Sequence, residues 1–273
     1  MKTFHLVFLS FFTQITFSQS IGSYLSNLHM YDKYEGIEEI IEKTTFYNSD
    51  GSETEIEHKK FNSSMGLMSL QRFNEENKLI WLNLYKYGSL GRIVRINNKK
   101  WINTLGYQTS YTIYEYDNQN NFIQIQYNAG NQPLEYWKYD FDDRQNLIQL
   151  ANYDQNGNLY GYETAEYDVE NNKMKVNVYD NRHNLKSSNV RPIKHEGEYK
   201  QKSTKKYNEH GDIIYWERNL NKDDNVCYTL EYRYDENGNW VSQKRYSYIK
   251  VENGKLKKKK LKVAQTRKIK LRK

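Results

Sequence analysis

Apolar positions along most of this chain recur inside one fixed phrase: an aromatic, then Asp or Asn, a short polar stretch, and an aliphatic or aromatic residue that opens the next segment. YDENGNWV from Tyr234, YDQNGNLY from Tyr153 and YNEHGDII from Tyr207 are the clearest copies. FNEENKLI from Phe73, YDNQNNFI from Tyr116, YNAGNQPL from Tyr127, FDDRQNLI from Phe141, YDVENNKM from Tyr167 and YDNRHNL from Tyr179 are weaker ones. Counting from Tyr47 and Phe61, the landmark aromatics fall mostly 12 or 14 residues apart. Self-similarity at so short a period predicts an array of small units, each burying its faces against its neighbours.

Each phrase encodes a turn. Asn156-Gly157 and Asn237-Gly238, with His210-Gly211 in the same slot, let the backbone reach positive φ, while the preceding Asp or Asn accepts backbone N–H groups. The segments that follow, such as LYGYETAEY from Leu159 and WVSQKRYSY from Trp240, are rich in Tyr and other strand formers. They predict strands of about seven to nine residues. Even spacings are expected to return each landmark aromatic to one face of a pleated sheet, in cross-strand ladders worth roughly 0.2–1 kcal/mol per pair. The 11-residue step from Tyr116 to Tyr127 calls for a bulge or a different turn.

Composition narrows the architecture. Hydrophobic residues make up 37%, yet 26 of the 273 residues are Tyr, which leaves little material for one thick core. Around Ile213 both strand faces are mixed, Tyr215 and Glu217 on one, Ile214, Trp216 and Arg218 on the other. With two prolines and no Ser- or Gly-rich linker, a single domain is expected. The predicted fold is all-β: an extended, twisted antiparallel β-meander repeat array, largely single-layer and able to curl. A lead-in segment over 19–46, the array over 47–254 and a basic tail or edge strand over 255–273 complete the expected organisation.

The YDxxGN phrase, followed by a hydrophobic and a Tyr-rich strand, resembles the YD repeats of the RHS and teneurin families, and more closely short secreted YD-type repeat proteins of Bacteroidota. The resemblance runs from about Tyr47 to Tyr248. In the large RHS family such repeats build a β-sheet shell around a toxin. This chain is too short for that shell and shows neither the core-associated sequence nor the toxin tip. The resemblance therefore implies an architecture and transfers no catalytic residue.

Residues 1–18 combine Lys2, an apolar stretch from Phe4 to Phe12 and a Thr16-Phe17-Ser18 end before Gln19. That pattern predicts a signal peptide, too short to span a bilayer, and an exported mature chain with no transmembrane segment after cleavage. No cysteine follows the apolar stretch for lipid attachment.

Candidate chemistry is sparse. The lone Cys227 has no disulfide partner and reads as a buried strand residue. The six histidines lack metal-ligand spacing, and His183 and His210 occupy turn slots. DENGN from Asp235 and DQNGN from Asp154 are rich in oxygen but lack the closing bidentate Glu of an EF-hand. No carboxylate pair stands out for glycoside hydrolysis, and there is no phosphate loop, GxSxG or HExxH. Neither a cofactor nor a metal is expected. Aromatics carry the best binding signal, because rings suit the apolar faces of sugars, although the same rings suit cross-strand ladders. Of the five tryptophans, Trp240 fills the slot of Leu159 and Ile213 and reads as packing. Trp137 and Trp216 sit mid-strand and are expected to be exposed, making them binding candidates together with Tyr136 and Tyr215.

Charge is segregated. Residues 255–273 hold 11 Lys or Arg and no acid, against 30 basic and 34 acidic groups elsewhere. Such a block suits an anionic surface, or an edge strand whose lysines discourage sheet-to-sheet pairing. No nucleic-acid-binding pattern accompanies it. The expected function is an exported, non-enzymatic binding or scaffold surface at the cell envelope, with an envelope protein or a polysaccharide as partner. A carbohydrate-binding module and a small glycan-active enzyme are the alternatives.

Overall fold

The computed structural model describes residues 20–28, 36–193, 205–218, 226–250 and 255–272. The export segment expected over 1–18 lies outside them. One helix, α1 (Ile21–Leu28), precedes β1 (Ile37–Tyr47), β2 (Ser52–Phe61), β3 (Leu67–Phe73), β4 (Leu79–Tyr87), β5 (Ile93–Ile102) and β6 (Gly106–Tyr116). Then come β7 (Phe122–Asn128), β8 (Pro133–Phe141), β9 (Leu147–Asp154), β10 (Leu159–Asp168), β11 (Lys173–Asp180) and β12 (Leu185–Pro192). β13 (Lys206–Tyr207), β14 (Ile213–Arg218), β15 (Val226–Tyr234), β16 (Trp240–Lys250) and β17 (Leu256–Leu271) complete the order. All belong to one 17-stranded antiparallel sheet, an all-β meander. The strands follow one another from β1 to β12 and again from β13 to β17, and β17 then pairs with β1. Among the described residues β12 pairs only with β11 and β13 only with β14, so the sheet is not closed.

The phrase builds the hairpins in one way. The landmark aromatic pairs with the residue six positions on: Phe61 with Leu67, Phe141 with Leu147, Tyr153 with Leu159, Tyr234 with Trp240 and six further pairs. Between Tyr153 and Leu159, the Asp154 N–H donates to the Asn158 carbonyl (2.9 Å) and the Gly157 N–H to the Asp154 carbonyl (3.1 Å). This closes a type I turn whose last residue is left-handed. Gly157, Gly211 and Gly238 take that slot at φ 86°, 78° and 77°, and Asn77, Asn120, Asn131, Gln145 and His183 take it elsewhere. The Asp154 Oδ1 accepts the N–H groups of Asn156 and Asn158, both at 2.8 Å, and the Asn158 amide returns to Oδ2. Asp-x-x-Gly-Asn is thus the donor and acceptor inventory of the turn written out in order.

Landmark aromatics do not share one face, contrary to the even-spacing expectation. In every one of these ten pairs except Tyr116–Phe122, a bulge follows and places one extra residue in the strand. The extra residue reverses the period-two parity, so an even step carries the next aromatic to the opposite face. The 11-residue step, expected to need the bulge, spans the unbulged hairpin. Tyr116, Phe141 and Tyr167 consequently point to the face that carries α1, called inner here, and Tyr127, Tyr153 and Tyr179 to the outer face.

Two apolar clusters occupy the inner face. Phe122, Trp137, Tyr139, Leu147, Leu150, Ala165, Met174 and Val176 form the larger one, and the fully buried Ile21 of α1 packs on it. Ser20 caps the helix through its hydroxyl to the Ser23 N–H (3.0 Å), and the Ile21 N–H donates to Glu163 Oε2 (2.8 Å). Eight residues are too few for an autonomous helix, so α1 depends on this docking. Ile37, Ile40, Phe61 and Leu67 form the second cluster. α1 and all of β1 but its last residue fall within the expected lead-in segment, and β1 is a full member of the sheet, which thus begins before Tyr47. β17, read from sequence as a tail or an edge, is neither, because β1 flanks it on one side and β16 on the other.

Candidate binding surface

The four candidates taken from the sequence do not form one site. Trp137 and Tyr136 are neighbours on β8 and face opposite ways, as do Trp216 and Tyr215 on β14. Trp137 is only 5% exposed, within the larger cluster. It is not exposed, contrary to expectation, because its inner-face position joins Phe122, Tyr139, Leu147, Leu150 and Ile21 of α1 in one cluster. Trp216, also on the inner face, stacks on Tyr228 with centroids 4.8 Å apart, and both rings are partly buried. Tyr215 donates to Glu217 Oε1 at 2.7 Å, and Lys250 reaches the same oxygen at 2.7 Å. Burial pushes the Tyr215 phenol well above its ordinary range, helped by the Glu217 carboxylate, while Lys250 and then Tyr215 hold Glu217 below its own. Cys227, opposite Glu217, is completely buried.

Tyr136 belongs to an arrangement that the sequence did not single out. On the outer face Tyr111 stacks on Tyr127, Tyr136 on Tyr153 and Tyr162 on Tyr179, with centroids 4.8–4.9 Å apart and interplanar angles of 11–12°. The first ring of each pair also meets the left-handed residue of the turn that follows. The Tyr111 hydroxyl donates to Asn131 Oδ1 (2.8 Å), a Cβ on Gly157 would lie 3.0 Å from the Tyr136 oxygen, and the Tyr162 oxygen is 3.3 Å from His183 Nδ1. The modules occupy successive strand pairs, β6–β7, β8–β9 and β10–β11, and each sits two residues further along the sheet. The signal lay in the 25- or 26-residue recurrence of 111, 136 and 162, and of 127, 153 and 179.

Inner-face tyrosines act differently. The hydroxyls of Tyr87, Tyr116, Tyr167 and Tyr232 donate to the backbone carbonyls of Leu67, Ile93, Leu147 and Ile213, at 3.0–3.1 Å. Each caps a carbonyl at the start of a bulged strand, and burial pushes the Tyr167 and Tyr232 phenols up to about 12. These rings hold the hairpins together.

A polar sector crosses the inner face on β17, β1, β2 and β3. Glu42 and Glu57 lie directly opposite each other on β1 and β2. Arg267 bonds Glu42 at 2.7 Å, and Lys59 and Arg72 bond Glu57 at 2.7 and 3.1 Å. Burial raises the Glu57 carboxyl, but Lys59 and then Arg72 outweigh it, and the net position is below the usual range. Both carboxylates spend their oxygens on cations, whereas a glycosidase needs one acid kept protonated. Among the described residues no group of three or more His, Cys, Asp or Glu is placed to hold a metal ion. The turn carboxylates spend their acceptors on backbone and Asn groups instead.

No family model and no curated protein matches the chain. Among solved structures it is similar to a porin-like protein from Bacteroides uniformis, at 10% identity and a TM-score of 0.44, over 86% of this chain and 97% of that one. It is also similar to a chain of TcdB2-TccC3-TEV, at 12% identity and a TM-score of 0.17, over 75% of this chain and 15% of that one.

Proposed function

We propose that the chain is an exported, non-enzymatic repeat protein of the YD type that presents a binding or scaffold surface at the cell envelope. One observation carries this reading: the repeated polar groups are consumed in building the sheet. The Asp and Asn side chains close turns, the inner tyrosines cap backbone carbonyls, and the paired glutamates are bonded to cations. What remains for function is a broad, repetitive outer face. Export rests on the Lys2, apolar and Ser18 pattern of the first 18 residues. Cell fractionation with mass spectrometry of the N-terminal peptide tests it: the envelope fraction should contain a chain beginning near Gln19, and recovery of intact Met1 there would contradict the proposal.

The three tyrosine modules favour a second reading, carbohydrate binding by the outer face. Each sets a stacked ring pair beside a turn amide, imidazole or backbone group, which suits a saccharide with both apolar faces and hydroxyls. A glycan array with the mature protein and its Tyr136→Ala/Tyr153→Ala variant tests this; binding that survives the substitution unchanged would remove the tyrosines from the site.

A further inference from the structure

The basic residues of β17 need an explanation other than edge protection, since the strand has a neighbour on both sides. Several are used internally. Arg267 pairs with Glu42, Lys270 with Glu38 and Lys259 with Glu231, and Arg272 donates to the Phe61 and Asn62 carbonyls. Lys268 is not. The register places it on the outer face with three other cations that have no ion-pair partner among the described residues. One lateral row runs Lys43 on β1, Thr266 on β17, Ser242 on β16 and Arg233 on β15. Lys268 lies one step along the strand from Thr266 on this face, opposite Ile41, and Lys244 lies one step to the other side, opposite Ala264. Lys43, Arg233, Lys244 and Lys268 are all exposed.

The four cations thus frame a floor of small side chains, Thr266, Ser242, Ala264 and Thr45, of which Thr266 is exposed, Ser242 is buried and Thr45 shares its hydroxyl with Thr54. Diagonal neighbours on one face stand about 7–8 Å apart at Cβ, and the frame spans roughly 14 Å across three strand spacings. Four like charges gathered on one face, with Glu231 opposite Lys244 already bonded to Lys259, draw an anion to that face. The frame is also bounded. Glu38 and Glu39 engage Lys270 and Lys60 beyond one end, and Glu231, directly opposite Lys244, gives its carboxylate to Lys259 at the other. A bilayer would present negative charge over a far wider plane than this. A compact polyanion that also offers hydroxyls matches both the size of the frame and its floor.

We infer that the outer face of β15, β16, β17 and β1 binds an acidic polysaccharide, with Lys43, Lys268, Lys244 and Arg233 contacting its anionic groups and the exposed Thr266 a hydroxyl. The inference deepens the envelope-binding reading by naming a ligand class. Its test uses the purified mature protein with heparin oligosaccharide, neutral dextran and phosphatidylglycerol vesicles as probes. Wild type should bind heparin in a salt-dependent way and dextran not at all. Lys43→Gln/Lys268→Gln and, independently, Lys244→Gln/Arg233→Gln should each weaken heparin binding about ten-fold, with melting temperature and β spectrum unchanged. Lys86→Gln/Lys173→Gln removes the same charge from exposed sites on distant strands and should weaken it less than about two-fold. Equal losses from the patch and the control pair would reduce the effect to net charge and overturn the site. Tighter binding to vesicles than to heparin would overturn the ligand class. Either result leaves the export reading standing, because that reading is decided by the N-terminus of the envelope-borne chain.

Discussion

Gly238 sits at φ 77° with nothing within 4 Å of the place a Cβ would occupy, so a side chain there meets only backbone strain. Gly238→Val should cost about 1–2 kcal/mol, and Asn237→Ala, which keeps Gly238, clearly less. Thermal melts compare the two, and equal midpoints would contradict the turn. Gly157→Ala should cost more than Gly238→Ala, because its Cβ would also press on the Tyr136 hydroxyl. The turn aspartates add a pH dependence. The Asn121 side chain holds Asp117 below its ordinary 3.8, the Asn158 side chain does the same for Asp154, and Lys186 for Asp180. A carboxyl depressed on folding contributes its full stability above the unfolded value and loses it as pH falls through the folded one. Melting temperature should therefore drop below about pH 4, and less steeply in Asp154→Asn/Asp180→Asn, since Asn62, Asn74 and Asn128 fill the same slot elsewhere. At this scale the sequence was readable, because every group in the turn is a near neighbour along the chain. His183 was placed correctly as a turn residue for the same reason.

Elements were legible where their boundaries are turns and illegible where partners are remote. Strands β7 to β11, bounded at both ends by copies of the phrase, follow directly from it. What the pattern concealed was facing, because a single bulged residue after all but one of the ten six-residue hairpin turns reverses parity without changing composition. Trp137 and Trp216 look equivalent in sequence, yet one is core under α1 and the other a half-buried ring stacked on Tyr228. α1 itself was missed although Ile21, Tyr24, Leu25 and Leu28 follow the spacing of an amphipathic helix, because eight residues are too few to stand alone and the cluster that Ile21 joins is built from remote strands. β17 was read as a tail or an edge because the partner that makes it internal, β1, lies more than 200 residues away. Its role can be checked by removing 255–273, which should lower the melting temperature and produce oligomers by size exclusion, since two long strands then lose their neighbour. Within β17, Arg267→Ala would strand the Glu42 carboxylate among groups about one-tenth exposed, at a cost of roughly 3–5 kcal/mol. Arg267→Met/Glu42→Met should lose distinctly less, measured by denaturant unfolding.

On the scale of the molecule, protection should follow the topology of pairing and not distance from the chain ends. β17 is hydrogen-bonded on both sides, whereas β12 has one partner among the described residues, with Leu185 and Val190 exposed along it. Amide hydrogen exchange should accordingly be slower in 259–269 than in 185–190; the reverse order would contradict the β1–β17 pairing. That pairing also bears on how the protein is made. Hairpins from β1 to β12 join near neighbours and can form as soon as their residues emerge, but the seam between the first and last strands joins the two segments that leave the ribosome furthest apart in time. Until the final 18 or so residues are available, β1 and β16 must both wait with half of their backbone donors and acceptors unanswered. Completion of the sheet is then a single late event of high contact order. A chain without 256–271 leaves β1 and β16 each with an unpaired border, in addition to those that β12 and β13 already carry among the described residues, and so doubles the edge available for wrong pairing.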